Sequence, residues 1–285
     1  MAIMAAINVV FSVLTLFVPL LSVILVIFLP LTSAVVEVCC KDRYFPIYAF
    51  ATIGLSIVVS LSVIDFTIFY VVPSIIAGYI FGLMSKKNLP DFLSIFVASC
   101  AQTILSFALI PLINLITERN FFADIIELLK IQNIDLFKKY LILIFFAIAL
   151  AQTFLSFVVV DSELKKINVK TEDKKDHTLI VGISGIFCQV MLVGFAFFET
   201  SISFICLGFV WYFALFSIIY AFKNQNKLQL MLSAFGLLLN IFMFAAFNSK
   251  FENGNEFLLL GIAPLLVSLL SIGFYFLKKQ KCKIK

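Results

Sequence analysis

Three amide side chains stand inside otherwise apolar runs of this 285-residue chain: Gln102, Gln152 and Gln189. The first two belong to one phrase written twice, AQTILSF at Ala101–Phe107 and AQTFLSF at Ala151–Phe157. An amide donates and accepts hydrogen bonds but does not shuttle protons or attack carbon at neutral pH, so the chemistry on offer is binding. Buried in hydrocarbon, each amide needs a partner. Two readings stay open: interhelical hydrogen bonds worth about 0.6–2 kcal/mol each, or the polar lining of a substrate pocket.

Within each phrase Gln and Ser are four residues apart, Gln102 with Ser106 and Gln152 with Ser156, so each pair shares one helix face. The flanks SIFVASC and LIFFAIAL share only apolar character, which gives no support to an ancient duplication. The expectation is a polar seam between two antiparallel helices, with Gln189 of a later helix at a similar depth as a packing residue.

Other reactive groups are sparse. The single histidine, His177, lies beside Lys175 and Asp176 and is expected in solvent. Glu37 is the one carboxylate well inside an apolar run; it precedes Lys41 by four residues, so it is expected to reach the interface or pair there, with proton coupling as the alternative. There is no H-E-x-x-H, no G-x-S-x-G and no glycine-rich phosphate loop. The six cysteines (Cys39, Cys40, Cys100, Cys188, Cys206 and Cys282) show no C-x-x-C spacing and read as small apolar fillers. No catalytic residue, metal site or cofactor is expected, and the chain is not read as an enzyme.

The elements that must hold these residues follow from composition. The chain is 63% hydrophobic and 13% charged, with a mean hydropathy of +1.14, against roughly 25% charged residues in a soluble domain. This implies an integral membrane protein. A span needs about 20 apolar residues, and polar breaks cut the chain into blocks, of which Met1–Cys40, Phe45–Met84 and Thr178–Phe222 are long enough to fold back once. Turns near Pro19, Asp65 and Glu199 give ten helices, at 3–18, 20–39, 45–63, 66–84, 91–116, 138–160, 178–198, 202–222, 228–248 and 257–277. If Met1–Pro30 were one tilted helix, the count would be nine.

With the N-terminus inside, 16 basic residues fall on cytoplasmic loops and 5 outside, as the positive-inside rule requires. Both termini are then on the cytoplasmic side of the membrane, and no cleaved signal peptide is read. The net charge of +5 is explained by this topology and by anionic lipid rather than by nucleic acid. The expected architecture is an all-α polytopic bundle: a six-helix domain at 1–160, a charged cytoplasmic loop at 161–177, and a four-helix domain at 178–285 with a basic tail.

Small residues mark close helix approaches. Gly78 and Gly82 form G-x-x-x-G, and Ala2 and Ala6 a small-x-x-x-small pair. Pro30 and Pro73 fall inside helices, where they bend the chain. In the outer loop, FFADIIELLKIQNIDLF places Phe121, Ile125, Leu128, Leu129 and Ile131 at helical spacing, which predicts an interfacial helix or a lid.

Three stretches, MAIMAAINVVFSVLTLFVP, LPLTSAVVEVCCKDRYFPIYAFATIGLSIVV and IFYVVPSIIAGYIFGLMSKKNLP, resemble the YybS-like family of bacterial membrane proteins. That family is in turn similar to the substrate-binding S components of energy-coupling factor (ECF) transporters. The S-component resemblance covers about residues 1–160; the YybS-like one extends over the rest, notably NKLQLMLSAFGLLLN. It implies that Ala2 and Ala6 dock a coupling subunit whose partner ATPases drive uptake, and that Pro73, Gly78 and Gly82 match the fourth helix of such proteins. It also places a substrate region among Tyr70, Ser74, Gln102, Ser106, Asn114 and Gln152, without assigning these six individually. The four further spans from Thr178 depart from the six-helix pattern. The implied function is uptake of a small molecule; a membrane scaffold for envelope or division assembly, and a stand-alone channel or secondary carrier, are the alternatives.

Overall fold

The computed structural model describes residues 1–17, 19–61, 64, 67–118, 120–128, 130, 134–167, 176–196, 200–247 and 256–284. Among these there is no β-strand. The helices are α1 (Ala2–Phe17), α2 (Pro19–Cys39), α3 (Phe45–Val59), α4 (Val72–Lys86), α5 (Asp91–Thr117), α6 (Phe121–Leu128), α7 (Ile134–Lys166), α8 (Thr178–Ala196), α9 (Thr200–Lys223), α10 (Lys227–Phe247) and α11 (Ile262–Ile284). Short 3-10 turns lie at Asp42–Tyr44 and Glu256–Gly261, and a π turn at Thr67–Val71 leads into α4. Pro73 explains that π turn: it has no N–H to close the α-helical bond to the carbonyl of Phe69, so the helix widens before it.

Most helix bounds fall within a few residues of the apolar blocks. α7 and α11 instead run on past them, to Lys166 and Ile284 rather than 160 and 277. Charges mark where a helix leaves hydrocarbon, not where it ends; the pair Lys165–Asp161 at 2.6 Å (i, i+4) supports the added turns of α7. The turns expected near Asp65 and Glu199, the charged stretch 168–175, and Leu129 and Ile131 of the outer segment lie outside the described residues. The amphipathic segment is helical over Phe121–Leu128.

The first forty residues fold back on themselves. Asn8 Nδ2 donates to the carbonyl of Leu29 at 3.2 Å and to Thr32 Oγ1 at 2.7 Å, a contact that one straight helix would stretch to about 30 Å.

Among the described residues, six helical segments are long and apolar enough to cross a membrane: Thr67–Lys86, Asp91–Thr117, Tyr140–Lys166, Thr178–Ala196, Ile202–Lys223 and Leu258–Lys279. Shorter apolar helices are Ala2–Thr15, Leu25–Cys39 and Lys227–Asn240. Phe50, Leu115, Phe222 and Phe242 point outward, more than two-thirds exposed, while Asn8, Ser33, Thr52 and Ser74 are fully buried. An apolar exterior around polar contacts is consistent with a multi-pass membrane protein, whose helices gain little from burying hydrocarbon and more from hydrogen bonds and close packing.

Contacts divide the chain into two compact units, Met1–Ile134 with Ile144–Asp173, and Asp135–Leu143 with Lys174–Lys285. In the first, α2 and α4 run parallel and nearly touch. A Cβ on Gly78 would lie 2.2 Å from the carbonyl oxygen of Pro30, and one on Gly82 2.7 Å from Glu37 Cβ. The α4–α5 turn closes with Leu89 N–H to Met84 O at 3.0 Å and Asn88 at a φ of 49°, the left-handed helix end that asparagine tolerates well.

In the second unit α8 packs on α9 and α11. Gly182 and Gly185 admit Ile272 and Ser268 of α11, and Gln229 of α10 donates to Ser271 of α11 at 2.8 Å. The start of α7 joins this unit through Tyr140, whose ring centre is 4.5 Å from that of Phe204.

Candidate functional site

Gln102 and Gln152 meet. Nε2 of Gln102 donates to Oε1 of Gln152 at 2.5 Å, joining α5 to α7. One turn away Ser99 Oγ and Thr153 Oγ1 are 2.6 Å apart. The rungs pair a rising number on α5 with a falling one on α7, so the helices are antiparallel. Each hydroxyl also lies near a carbonyl of its own helix, Ser99 2.8 Å from that of Ile95 and Thr153 2.7 Å from that of Ala149; with one proton each, one hydroxyl donates across the seam and the other donates to its own helix. This locks their rotamers and aims their oxygens at each other.

The seam differs in one register from the expectation. Thr153, next to Gln152, forms the second rung, whereas Ser156 is fully buried with no hydrogen-bond partner for its Oγ. Ser99 lies in the flank that reads only as apolar in sequence; its spacing of three before Gln102 is the signal that would have found it.

Compared with known proteins, the chain matches no family model, no curated protein and no solved structure. The site is therefore judged on its own geometry. Amides and hydroxyls make up the seam, with no charged group among its four residues, so it can hold a polar molecule by hydrogen bonds. Among the described residues no three His, Cys, Asp or Glu converge as a metal site.

The other expected substrate residues lie on α5 and on α4 with the π turn before it. Tyr70 is partly exposed on the π turn, its ring edge-on to Phe69 at 5.9 Å. Ser106 is buried on α5. Asn114 Oδ1 accepts from Phe121 N–H at 2.9 Å and so caps α6. Ser74 stands four residues before Gly78 on the stripe that faces α2, fully buried and with its Oγ unpartnered. It belongs with the packing glycines as much as with a pocket. Ala2 and Ala6 are both exposed on α1.

A second polar cluster went unread in the sequence. Asn8 of α1, Thr32 and Ser33 of α2 and Tyr48 of α3 are linked, with Tyr48 donating to Thr32 Oγ1 at 3.0 Å and lying 3.3 Å from Ser33 Oγ. Both N–H groups of Asn8 are used, and Leu29 O can only accept, so the amide orientation is settled by its partners and Oδ1 is left unpartnered.

The side chain of Glu37 is fully buried, and it is paired as expected, but with Lys86 at the end of α4 instead of Lys41. Nζ of Lys86 is 3.0 Å from Glu37 Oε1, 2.6 Å from Asp42 Oδ1 and 3.4 Å from the carbonyl of Cys40. The hydrogen bond from Lys86, reinforced by its charge, holds the Asp42 carboxyl below its ordinary range.

In the second unit Gln189 lies against Gly261, where a Cβ would be 2.7 Å from its Nε2, and its Oε1 is unpartnered. His177 is buried instead of solvated, its ring 6.4 Å from that of Tyr220. Beside it Asp176 caps α8, accepting at 3.1 Å from Thr178 N–H, and receives Lys278 of α11 at 3.2 Å. Burial pushes the Asp176 carboxyl up, but the Thr178 hydroxyl and N–H together with the Lys278 ammonium outweigh it and hold the group below its ordinary range.

Proposed function

We propose that the chain is a ten-span protein of a bacterial inner membrane, with both termini cytoplasmic, that binds a small polar molecule in its first unit and moves it inward. The observation that supports this reading is the Gln102–Gln152 pair. A single hydrogen bond uses one N–H of Gln102 and one carbonyl of Gln152, so each amide keeps hydrogen-bonding capacity for a ligand.

The resemblance to S components supplies the energy source: a separate coupling subunit with ATPases, docked on the exposed face carrying Ala2 and Ala6. The π turn and Pro73, next to Tyr70 and Ser74, give α4 the irregular backbone that substrate-handling helices use.

The test is mass spectrometry of small molecules retained by the purified protein, followed by binding to Gln102→Leu and Gln152→Leu. A retained compound whose binding falls in both folded variants supports the reading. Unchanged binding, or no retained compound together with unfolding of the variants, leaves the amides as helix-joining groups and turns the assignment toward a membrane scaffold. Co-purification with a coupling subunit, lost on Ala2→Leu with Ala6→Leu, tests the docking face separately.

A further inference from the structure

The buried face of α1 carries Asn8, Ser12 and Thr15, and that of α3 carries Tyr48, Thr52 and Ser56. Asn8 and Tyr48 meet on Thr32 of α2, and α1 also packs directly on α3. Both helices are antiparallel to α2 and so run the same way, which puts Ser12 and Thr52 one turn on from that meeting point.

The protons here are all committed. Both N–H groups of Asn8 go to α2, to the carbonyl of Leu29 and to Thr32 Oγ1. Tyr48 donates to Thr32 Oγ1 at 3.0 Å, and Thr32 donates to the carbonyl of Leu29 at 3.1 Å. With the Tyr48 proton used there, Ser33 is the donor across its 3.3 Å contact with Tyr48. Ser12 and Thr52 donate within their own helices, to the carbonyls of Asn8 at 2.9 Å and Tyr48 at 2.8 Å. What remains is electron pairs: those of Asn8 Oδ1, which has no partner, and those left on Ser12 Oγ, Thr52 Oγ1 and Tyr48 Oη. The four residues are at most 2% exposed, where an unmatched carbonyl oxygen is costly.

An acceptor-only lining decides the class of occupant. A water molecule brings two protons but also two lone pairs, and none of these residues has a donor left to meet them. An anion meets only acceptors. A cation takes electron pairs and offers none, and neutral oxygens can replace its hydration shell. Burial this complete leaves no space for the carbon body of an organic ammonium, which selects a bare ion.

We propose that Asn8 Oδ1, Ser12 Oγ, Thr52 Oγ1 and Tyr48 Oη bind an alkali-metal cation that joins α1 to α3 within the first unit. The site is independent of the Gln102–Gln152 seam.

The experiment is thermal unfolding of the full chain in one non-ionic detergent, titrated with sodium or potassium chloride against choline chloride at equal ionic strength. Choline matches the screening but is too large for the site. A Tm that rises with sodium or potassium and not with choline is expected, as for any ligand that binds only the folded chain. Equilibrium dialysis with radioactive sodium or rubidium reads the bound ion directly. Ser12→Ala with Thr52→Val removes two of the oxygens, whose protons serve only their own helices. The Tm of this variant in choline should stay near the parent while the cation-dependent rise and the bound ion are lost. An equal rise in all three salts is screening alone and overturns the proposal, as does the absence of any bound ion. A cation-dependent rise that survives in the double variant places the ion elsewhere. Should the double variant not fold, Thr52→Val alone is read by dialysis, and unchanged ion binding overturns the proposal.

Discussion

Nζ of Lys86 lies 3.0 Å from Oε1 of Glu37, 49 positions earlier in the chain, and this ion pair sits at the end of the glycine contact between α2 and α4. Gly82 makes the pair feasible: with no side chain of its own, it leaves the volume that Glu37 Cβ and Cγ occupy.

Removing one partner strands the other charge. Lys86→Met should destabilise the first unit by about 3 kcal/mol, because a buried carboxylate loses its neutralising cation. Glu37→Gln with Lys86→Met together should cost less than Lys86→Met alone. Thermal unfolding in one detergent checks this, and strictly additive losses would show that the two residues are uncoupled.

The glycines separate by neighbour, not by type. Gly78→Ala should cost about 1–3 kcal/mol by forcing α4 away from the Pro30 carbonyl. Gly54→Ala on α3 meets nothing within 4 Å and should be neutral or stabilising by up to about 1 kcal/mol, as alanine is the better helix former. Loss of stability in both variants would rule out the close α2–α4 approach as the cause.

The amide seam predicts non-additivity. Gln102→Leu leaves Gln152 without its partner and should cost about 1 kcal/mol, and Gln152→Leu about the same. The double variant should be no worse than either single, since it removes the stranded amide. A double loss equal to the sum would mean that each glutamine is held by something other than its neighbour.

Acid should loosen the second unit at Asp176. Its folded-state pKa is depressed, so the carboxylate stabilises the fold above its unfolded pKa of about 3.9, and that contribution disappears as pH falls through the lower folded value. Stability measured by unfolding should therefore show no Asp176-dependent change from pH 7 to about 5 and decline below about 4. Asp176→Asn should be less stable at pH 7 and converge on the parent in acid. A difference that persists unchanged to pH 2 would show that the ionised carboxylate is not what ties α8 to α11.

Much of the frame was legible in the amino acids alone. Runs of apolar residues bounded by charge specify helices wherever they pack, because backbone hydrogen bonding and hydrophobicity are local properties. The spacing of four also put Gln102 with Ser106, and Gln152 with Ser156, on single faces. What no local pattern contains is which face meets which. Gly54 and Gly78 look alike in sequence, yet one meets open space and the other the Pro30 carbonyl. Glu37 had Lys41 within reach along its own helix, and the fold supplied Lys86 instead. The same holds for the pairing of Ser99 with Thr153, for the burial of His177 against Tyr220, and for the second unit's claim on the start of α7. Helix identity comes from neighbours along the chain; these pairings depend on shapes and hydrogen-bond partners that residues far apart in sequence present only once the helices have docked.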